Sequence, residues 1–273
     1  MKLARAVIVL TLLALTSCVT GGYHEGHFEK TFPVTGKVTM YVDNAAGSIT
    51  VRTGNTQTVD ISARVRARGS FIGVSARTKI ERIEANPPVQ QQGDTIRITQ
   101  IEDRNIRRNV VIDYDLTVPP QTQLTTRTGA GNQTLSGLQA AVDATTGAGR
   151  ITAEDLSGDV RLNTGAGNVD VRSIQGGLLA NSGAGKVTAS GEPKHDWEIK
   201  VGAGSIHLEI PAESSYNLDA QTGFGKVNLS HDIAVDGTVS ANIVRGKVGR
   251  GGPMVRASNG AGSIDISAGA AQN

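Results

Sequence analysis

The stretch "TGAGRITAEDLSGDVRLN" at Thr146–Asn163 is one unit of a repeat with a period of 18 residues. Its opening phrase recurs as "TGAGNQTLSG" from Thr128, "TGAGNVDVRS" from Thr164 and "SGAGKVTASG" from Ser182. Less regular copies begin at positions 201, 222 and 259, and "NAAGSITVR" at 44–52 echoes the phrase near the start of the chain. A fixed period of this length is typical of repeat architectures in which each unit stacks on the next.

Alignment of the units places apolar residues in shared columns, and these columns identify the strands. Adding 18 to each position aligns Ile151 with Val169 and Val187. Within a unit the apolar positions fall two apart, as in Ile151 and Ala153, so each coil contains two short strands. Strands of neighbouring coils pair at about 4.8 Å, which turns each apolar column into a continuous ladder in the core. The sequence therefore predicts an all-β fold, a β-solenoid of coils of about 18 residues.

The paired glycines of the phrase are predicted to form the corners of the coils. A corner of two or three residues needs positive φ, which Gly reaches without the steric cost of other residues. A nucleotide-binding loop does not fit, because its fingerprint needs a third glycine and a following helix, whereas a strand follows here. Phe224 replaces the alanine of one corner, and we expect it to cap or bulge that corner. The predicted corner glycines are Gly129, Gly131, Gly147, Gly149, Gly165, Gly167, Gly183, Gly185, Gly202, Gly204, Gly223, Gly225, Gly260 and Gly262.

A calcium-binding solenoid is the nearest metal-containing alternative. Its 18-residue coils bind Ca²⁺ through an Asp in the strand after the glycines. The equivalent position here is Asp only at Asp170 and Asp265, and it is Thr, His or Asn in the other five units. Two carboxylates in seven units are too few for a ladder of calcium sites. Apart from an adventitious ion, we therefore predict no metal and no cofactor.

The first 17 residues are predicted to be a lipoprotein signal peptide. Lys2 and Arg5 precede an apolar run at 6–15 that is too short to span a bilayer. "LTSC" ends at Cys18, the only cysteine of the chain, and resembles the lipobox of bacterial lipoproteins, in which the cysteine is lipidated. Val19 is not the Asp that favours retention at the inner membrane. We expect a lipid-anchored protein of the cell envelope, at the outer membrane where the cell has one.

The charge balance excludes nucleic acid as an expected partner. Lys2 and Arg5 leave with the signal peptide, so the 27 basic residues become 25 and match the 25 acidic residues. Nucleic-acid binding calls for a basic surplus and a reading motif, and neither is present. Residues 18–30 are Gly-rich and polar, and we expect them to form a flexible tether between the lipid and the fold.

Residues 31–127 are predicted to be a β meander that caps the solenoid, and the solenoid itself is predicted at 128–268. Alternation of apolar residues predicts short strands in the meander, and "SARTKIERIEA" at 75–85 predicts one short helix. The echo at 44–52 leaves open that the meander contains a capping version of the same coil. "NIVRGKVGRG" near Gly246 is interpreted as a degenerate coil, and residues 269–273 as a disordered tail.

A row of basic side chains marks one strand of the meander. Arg64, Arg66 and Arg68 project from one face, and Asp113 and Asp115 alternate in the same way on another strand. Opposite charges that face each other across strands stabilise a sheet by about 0.2–1 kcal/mol per pair, so a cross-strand ladder is the favoured explanation. The alternative is a basic strip that binds anionic polysaccharide or lipid head groups.

No catalytic constellation is recognisable. Glu154, Asp155 and Asp159 lie near one turn, but carboxylates do not recur at the same positions of the next coil, as a catalytic groove on a β-helix would require. His24 and His27 could bind a metal, yet they fall in the expected tether, where nothing fixes their orientation. The sequence contains no G-x-S-x-G and no H-E-x-x-H motif. We therefore predict that the protein is not an enzyme.

Together these features resemble a known family. A strand meander with "GSITVR" at 47–52, then "YDLTVPPQTQLTTRTGAG" at 114–131, then repeated Gly-x-Gly strand units behind a lipoprotein signal, is similar to the bacterial putative-adhesin family of β-strand repeat proteins. The resemblance covers roughly residues 35–267, and the strict T-G-A-G corner departs from the looser single-Gly pattern of that family. It implies a β-solenoid at the cell envelope, with adhesion proposed as its role and no established catalytic residues.

Our first hypothesis is a non-enzymatic, surface-anchored binding or structural module whose partners are glycans or envelope proteins. The alternatives are a carbohydrate-active enzyme on a β-helix scaffold and a periplasmic scaffold or sensor. Carboxylates that converge in one groove would favour the enzyme, and a Thr/Asn/Ser-rich face without a cleft would favour the other two. Outward residues just after the corners, Arg150, Asn168 and Lys186, are the expected binding positions, with Arg64, Arg66 and Arg68 as a second set.

Overall fold

The computed structural model describes residues 23–54, 57–69, 73–230 and 233–269. The signal peptide and Cys18 lie outside these residues. The strands of the N-terminal part are β1 (Tyr23–Pro33), β2 (Thr39–Ala46), β3 (Ile49–Thr53), β4 (Thr58–Arg68), β5 (Val89–Gln92), β6 (Thr95–Ile98), β7 (Val110–Val118), β8 (Gln123–Ala130), β9 (Gln133–Ser136), β10 (Val142–Ala148) and β11 (Ile151–Leu156). Those of the C-terminal part are β12 (Val160–Ala166), β13 (Val169–Ile174), β14 (Leu178–Ser190), β15 (Trp197–Pro211), β16 (Tyr216–Phe224), β17 (Val227–Leu229), β18 (Val235–Val239), β19 (Ile243–Val248), β20 (Met254–Ala261) and β21 (Ile264–Gly269). The helices are α1 (Ala76–Ala85) and α2 (Arg104–Arg107), and neither has the length or the apolar run needed to cross a bilayer.

The structure confirms an all-β solenoid. Eight coils each contribute one segment to a first sheet, before the Gly-x-Gly corner, and one to a second sheet, after it. β10 pairs in parallel with β8 and β12 in the first sheet, and β11 pairs in the same way with β9 and β13 in the second. The register is that of the 18-residue period: Val142 lies opposite Val160, and Ile151 opposite Val169, and all four side chains are buried. Burial of each large apolar side chain contributes about 1.5–3 kcal/mol, and the contribution repeats from coil to coil.

The two glycines of each corner are needed for different reasons. The second one has positive φ, as predicted: φ is +146° at Gly149, where a Cβ atom would also lie 2.2 Å from the carbonyl oxygen of Gly131 in the preceding coil. The first one, such as Gly147, is not among the residues with positive φ, so that part of the prediction is wrong. A Cβ atom on Gly147 would lie 2.4 Å from the carbonyl oxygen of Gly129, so the close approach of the neighbouring coil excludes a side chain there.

A ladder of buried hydroxyl groups accounts for the first residue of the T-G-A-G phrase. Thr146 Oγ1 donates a hydrogen bond to the carbonyl oxygen of Gly131 over 3.1 Å, and Thr164 and Ser182 donate to the equivalent carbonyl oxygens one coil back over 3.2 and 3.0 Å. These side chains are almost fully buried. Val201 occupies the equivalent position of the sixth coil and has no hydroxyl to donate. The hydroxyl ladder therefore satisfies corner carbonyl groups that the sheets leave unpaired.

The N-terminal end of the solenoid is closed by a cap, as the sequence predicts. β4 pairs antiparallel with β1 and β7 and extends the second sheet, while the β5–β6 hairpin extends the first sheet through β2. The predicted helix is α1, whose Ile80 and Ile83 join the hydrophobic core together with Phe28 of β1. Lys79 on the same helix is buried and donates hydrogen bonds to the carbonyl oxygens of Arg68 and Arg108. Burial, and then the positive charge of Arg108, lower the pKa of Lys79.

Three N- and C-terminal expectations need correction. The tether expected at 18–30 is wrong from residue 23 onward, because residues 23–30 belong to β1, which pairs with β4 along its whole length and buries Phe28. The boundary expected between 127 and 128 falls inside β8, and the echo at 44–52 is the first coil, formed by β2 and β3. Gly269 of the expected tail is the last residue of β21, and 270–273 lie outside the described residues.

The C-terminal coils are not stacked in chain order. The coil of β20 and β21 lies between β15 on one side and the coil of β16 and β17 on the other. The segment interpreted as a degenerate coil near Gly246 is instead β19, which pairs antiparallel with β16 and β18 and forms an edge hairpin on the first sheet. Phe224 lies on the corner of the terminal coil and is 82 % exposed, because no further coil stacks over it. A large side chain fits this corner because only here is that space open.

Candidate functional site

A wide, open groove with a volume of about 860 Å³ lies on the outer face of the first sheet. We call it the sheet-one groove. It runs across the beginnings of β8, β10, β12, β14 and β15, so its floor is made of outward residues from five successive coils. Ala141 and Gly177 are the small residues of one floor column. The segment Lys194–Asp196 and Pro253 also line the groove. The solenoid thus positions the floor residues at regular steps of about 4.8 Å.

The second floor column contains two charged side chains, Asp143 and Arg161, that form no ion pair among the described residues. The register places Asp143, Arg161, Leu179 and Glu198 side by side on neighbouring strands. Among the described residues, no ion pair joins Arg161 to an acid, although Asp143 is its neighbour on the next strand. Leu179 places an aliphatic side chain in the middle of this charged column. The floor therefore offers a guanidinium group, a carboxylate and an apolar surface in a row.

Beyond the groove the same column is neutralised internally. Arg256, Asp219 and Arg245 continue it on β20, β16 and β19, and Asp219 forms ion pairs with Arg245 over 2.8 Å and with Arg256 over 3.7 Å. These exposed pairs contribute little to stability. On this side of the groove, the charges of the column therefore neutralise one another.

Two further carboxylates of the groove are held by the backbone of a neighbouring coil. Asp159 accepts a hydrogen bond from the N–H of Gly177 over 3.0 Å, and Asp196 accepts one from the N–H of Met254 over 2.8 Å. Both therefore help to fix the start of a strand. Two ladder steps of about 4.8 Å place the two carboxylates about 10 Å apart, slightly beyond the roughly 6.5–9.5 Å of an inverting glycosidase pair.

The remaining titratable groups at the groove are also engaged by the protein. Lys200 donates a hydrogen bond to Glu198 at 2.5 Å, and this contact, with smaller contributions from the positive charges of Lys200 and Arg256, holds the pKa of Glu198 below its usual value. Glu198 is thus an anion at neutral pH rather than a proton donor. His195 contacts the carbonyl oxygen of Gln175 through Nδ1 at 3.0 Å, so Nδ1 carries the proton in this arrangement.

The binding positions expected from the sequence form one column along the corner edge. Arg150, Asn168 and Lys186 lie on three successive coils, as the 18-residue period requires. Arg150 approaches Asp170 to 3.4 Å, and the side-chain oxygen of Asn168 accepts the backbone N–H of Lys186 over 3.0 Å. Asn168 therefore joins its own coil to the next one. The column does not contribute to the sheet-one groove, and its role in binding stays a prediction.

One arginine of the meander row forms the predicted cross-strand ion pair, whereas Asp115 pairs with Arg52 of β3. Arg64, Arg66 and Arg68 alternate with buried residues on β4, and Arg66 forms an ion pair of 2.5 Å with Asp113 of β7. Burial raises the pKa of Asp113, but hydrogen bonds from the backbone and side chain of Ser48, together with Arg66, lower it by a larger amount. The pKa of Asp113 therefore lies below its usual value. The arrangement supports the favoured explanation of the sequence pattern. The basic-strip alternative stays a prediction.

The groove itself was not predicted, since its residues look unrelated in sequence. Arg161, Leu179 and Glu198 occupy one column, but their side chains share neither charge nor polarity, so no common residue type marks this column in the sequence. The signal was present in the period, since Asp143 aligns with Arg161 and Leu179. In the second sheet the outward positions Thr134, Thr152, Asp170 and Thr188 form a mostly hydroxyl-bearing column, a feature that favours a binding or scaffold module over an enzyme. The structure thus combines a hydroxyl-rich face with a carboxylate-lined groove.

Metal ligands do not cluster in the described part of the chain, where no group of three or more His, Cys, Asp or Glu side chains could hold an ion. His24 and His27 lie on β1 and not on a tether, and the backbone N–H of His27 donates to the carboxylate of Glu84 over 2.9 Å.

Comparisons with known proteins place the fold. A family model described as Toastrack DUF4097 matches residues 41–267. Two solved structures are similar to the chain at 14 % sequence identity. One, a putative cell adhesion protein from Clostridium sporogenes ATCC 15579, has a TM-score of 0.35, and the match covers 89 % of this chain and 99 % of that one. The other, a putative adhesin from Bacteroides fragilis NCTC 9343, has a TM-score of 0.42 with 89 % and 96 % covered. A search of curated proteins gives no match.

Proposed function

The chain belongs to the Toastrack DUF4097 family, and we propose that it is a non-enzymatic, lipid-anchored module of the cell envelope that binds a polysaccharide in the sheet-one groove. The observation that carries this proposal is the floor of the groove, where Asp143 and Arg161 have no ion-pair partner among the described residues and Leu179 lies beside them, while the column beyond β15 pairs internally. A binding surface whose polar groups lack partners within the protein is what a ligand with its own hydrogen-bonding groups requires.

A polysaccharide suits the groove for three chemical reasons. Sugar hydroxyl groups both donate and accept hydrogen bonds, so they complement Asp143 and Arg161 alike. Sugar rings also have apolar C–H faces, which match the aliphatic side chain of Leu179. The strands repeat at about 4.8 Å, so a polymer that lies across them meets one outward side chain of each column per strand at regular intervals. Because the groove contains four carboxylates against Arg161 and Lys194, we expect a neutral polymer rather than an acidic one.

The proposed membrane anchor is the lipid on Cys18, and the position of β1 limits how far the fold can lie from it. The described fold begins at Tyr23, five residues after Cys18. An extended chain spans at most about 3.3–3.6 Å per residue, so the lipidated cysteine would lie within roughly 18 Å of the start of β1. The N-terminal cap would then face the membrane and the groove would lie farther out. Loss of palmitate labelling in Cys18→Ala tests the anchor, and unchanged labelling in that variant would remove it.

The binding proposal is tested with the full-length chain in detergent. A panel of neutral and acidic polysaccharides is first screened, and the affinity of any hit is then measured by titration calorimetry. We expect a neutral polysaccharide to bind, and Arg161→Ala and Leu179→Asp to weaken the affinity at least about tenfold, equivalent to about 1.4 kcal/mol. Arg150→Ala and Lys186→Ala on the corner edge serve as matched controls, because they change exposed cations of similar size outside the groove.

Each result of this experiment has a clear consequence. A loss of affinity in the corner-edge variants, with Arg161→Ala unaffected, would move the binding site to the column expected from the sequence. Failure of every polysaccharide to bind would reject the proposed function. Preference for acidic polymers, with strong dependence on salt, would contradict the argument from the groove charges.

A carbohydrate-active enzyme is the second candidate, and the carboxylates of the groove are the observation that favours it. Asp143, Asp159, Asp196 and Glu198 line one open groove. Against it stand the hydrogen bonds that commit Asp159 and Asp196 to backbone amides and the ionised state of Glu198. Prolonged incubation with each bound polysaccharide, followed by assay of new reducing ends, distinguishes the candidates. Cleavage that disappears in Asp159→Asn or Asp196→Asn would establish the enzyme.

A further inference from the structure

We propose that the free edge of β18 is a self-complementary surface through which two copies of the chain pair and form a symmetric dimer. β18 pairs antiparallel with β19 on one side, and no other strand of the described residues pairs with it. Its outer edge therefore presents a row of backbone N–H and C=O groups without strand partners, a template for pairing with a further strand.

The sequence of β18 fits a two-fold axis. Val235-Asp236-Gly237-Thr238-Val239 has glycine at its centre and valine at both ends. An axis through Gly237 places Val235 opposite Val239 of the second copy, and Asp236 opposite Thr238. Such isologous contacts, in which the same patch meets itself, are how most dimers form.

Both faces of the resulting sheet are compatible with this register. On the inner face, β19 places Val248 beside Val235 and Val244 beside Val239, so the paired strands would continue a row of valine side chains across the axis. On the outer face Lys247 lies beside Asp236, so the charge of Asp236 has a cation on one side and Thr238 of the second copy on the other. No like charges would be placed directly opposite each other.

The exposure of Val239 indicates what the dimer would cover. Val239 is 60 % exposed, although it lies on the face that β19 turns toward the core. The second sheet ends at β17 and does not extend this far, so nothing in the described chain covers it. Edge strands of monomers are usually protected by lysine, proline or a bulge, whereas Asp236 is the one charged residue of this edge.

A second copy is favoured over an unrelated peptide because the complementarity is internal to the strand. Pairing of two five-residue strands is smaller than a standard interface of about 1,200–2,000 Å², so we expect a dimer that dissociates on dilution. Sedimentation velocity of the full chain in detergent, over a hundredfold range of protein concentration, should show the transition. A monomer at every concentration would overturn the proposal.

Two variants separate this edge from other sources of association. Val239→Asp should raise the dissociation constant at least about tenfold, because it would bury a carboxylate against the valine row. Phe224→Asp is the matched control, since Phe224 is the other exposed large apolar side chain among the described residues and it lies on the terminal corner, not on β18. A dimer that Phe224→Asp disrupts, or that survives Val239→Asp, would assign the interface elsewhere. Circular dichroism spectra confirm that each variant is folded.

The register is tested by disulfide trapping in a Cys18→Ser background, which removes the only native thiol. The double variant Asp236→Cys and Thr238→Cys places cysteines opposite each other across the axis, at the roughly 4.5–5.5 Å of paired strands that a disulfide can bridge. It should give a covalent dimer on mild oxidation, and Asp236→Cys alone should give much less. Equal trapping in the single variant would reject the register centred on Gly237.

Discussion

Replacement of the second corner glycine by alanine should destabilise the protein far more than the strain of alanine at a positive φ alone would explain. At Gly185, φ is +145° and a Cβ atom would lie 2.0 Å from the carbonyl oxygen of Gly167 in the preceding coil. The strained backbone costs about 1–3 kcal/mol and the overpacking about another 1–3 kcal/mol. The obstacle is backbone, held by the ladder of two sheets, so it cannot rotate away as a flexible side chain could.

Gly93→Ala is the matched control for this prediction. Gly93 has φ of +59°, but a Cβ atom there would meet no atom within 4 Å. It should therefore cost only about 1–2 kcal/mol for the left-handed conformation. Urea unfolding followed by circular dichroism gives the free energy of unfolding of both variants and of the parent. If Gly185→Ala loses no more stability than Gly93→Ala, the close approach of the coils does not constrain the corner and the reasoning is refuted.

Three further predictions concern the corners and the N-terminal cap. Thr164→Val should cost about 1 kcal/mol by removal of its hydrogen bond to a corner carbonyl, and Val201→Thr should gain a similar amount by supplying the missing donor, both measured by urea unfolding. Equal effects of the same sign would contradict the hydroxyl ladder. Asp113 has a lowered pKa in the folded state, so its stabilisation should be complete above about pH 4 and lost as the pH falls through the folded pKa. Asp113→Asn should flatten the profile of urea midpoint against pH between about 2 and 5, and an unchanged profile would reject this role. Phe224→Ala should change stability by no more than about 0.5 kcal/mol because the ring is exposed, and a larger loss would show that it packs against the terminal coil.

The coils could be predicted from the sequence because their physics is local and repeated. Each apolar column recurs at a fixed spacing, so the alignment of Ile151 with Val169 is also their pairing in the sheet. The register of the solenoid follows from this period directly. The helix α1 was recognised from a short sequence between strands, and its N-cap Ser75 accepts the backbone N–H of Thr78.

The order of the last coils could not be predicted, because two similar coils could each stack on the edge that β15 offers. The corner phrases at residues 222 and 259 predict coils of the same kind, and nothing within either one determines which stacks on β15. The tether was mispredicted for a related reason. "YHEGHFEK" is polar and Gly-containing, but its strand is stabilised by pairing with β4 and by burial of Phe28, contacts made with residues about 35 positions away.

The candidate site was missed because it arises between coils. The sequence predicts Arg150, Asn168 and Lys186 as outward residues beside the corner, and the structure shows that Asn168 joins two coils there. The groove depends on small residues at 141 and 177 and on the segment at 194–196, which come from different coils. Alignment of the outward columns by charge would have shown Asp143 and Arg161 as neighbours, but not that they lack an ion pair.

The insertion of the last coil between two earlier ones makes this solenoid unlike a stack that grows from one end. In an ordinary repeat protein each unit can dock as it leaves the ribosome, and loss of the C-terminus removes only the outermost layer. Here the coil of β16 and β17 reaches its native position only after β20 and β21 have been synthesised, because it stacks on that coil and not on β15. A nascent chain that stops at residue 253 would lack the coil that lies between β15 and the coil of β16 and β17. The native order of the last coils can therefore form only when synthesis is nearly complete, so correct assembly depends on an intact C-terminus.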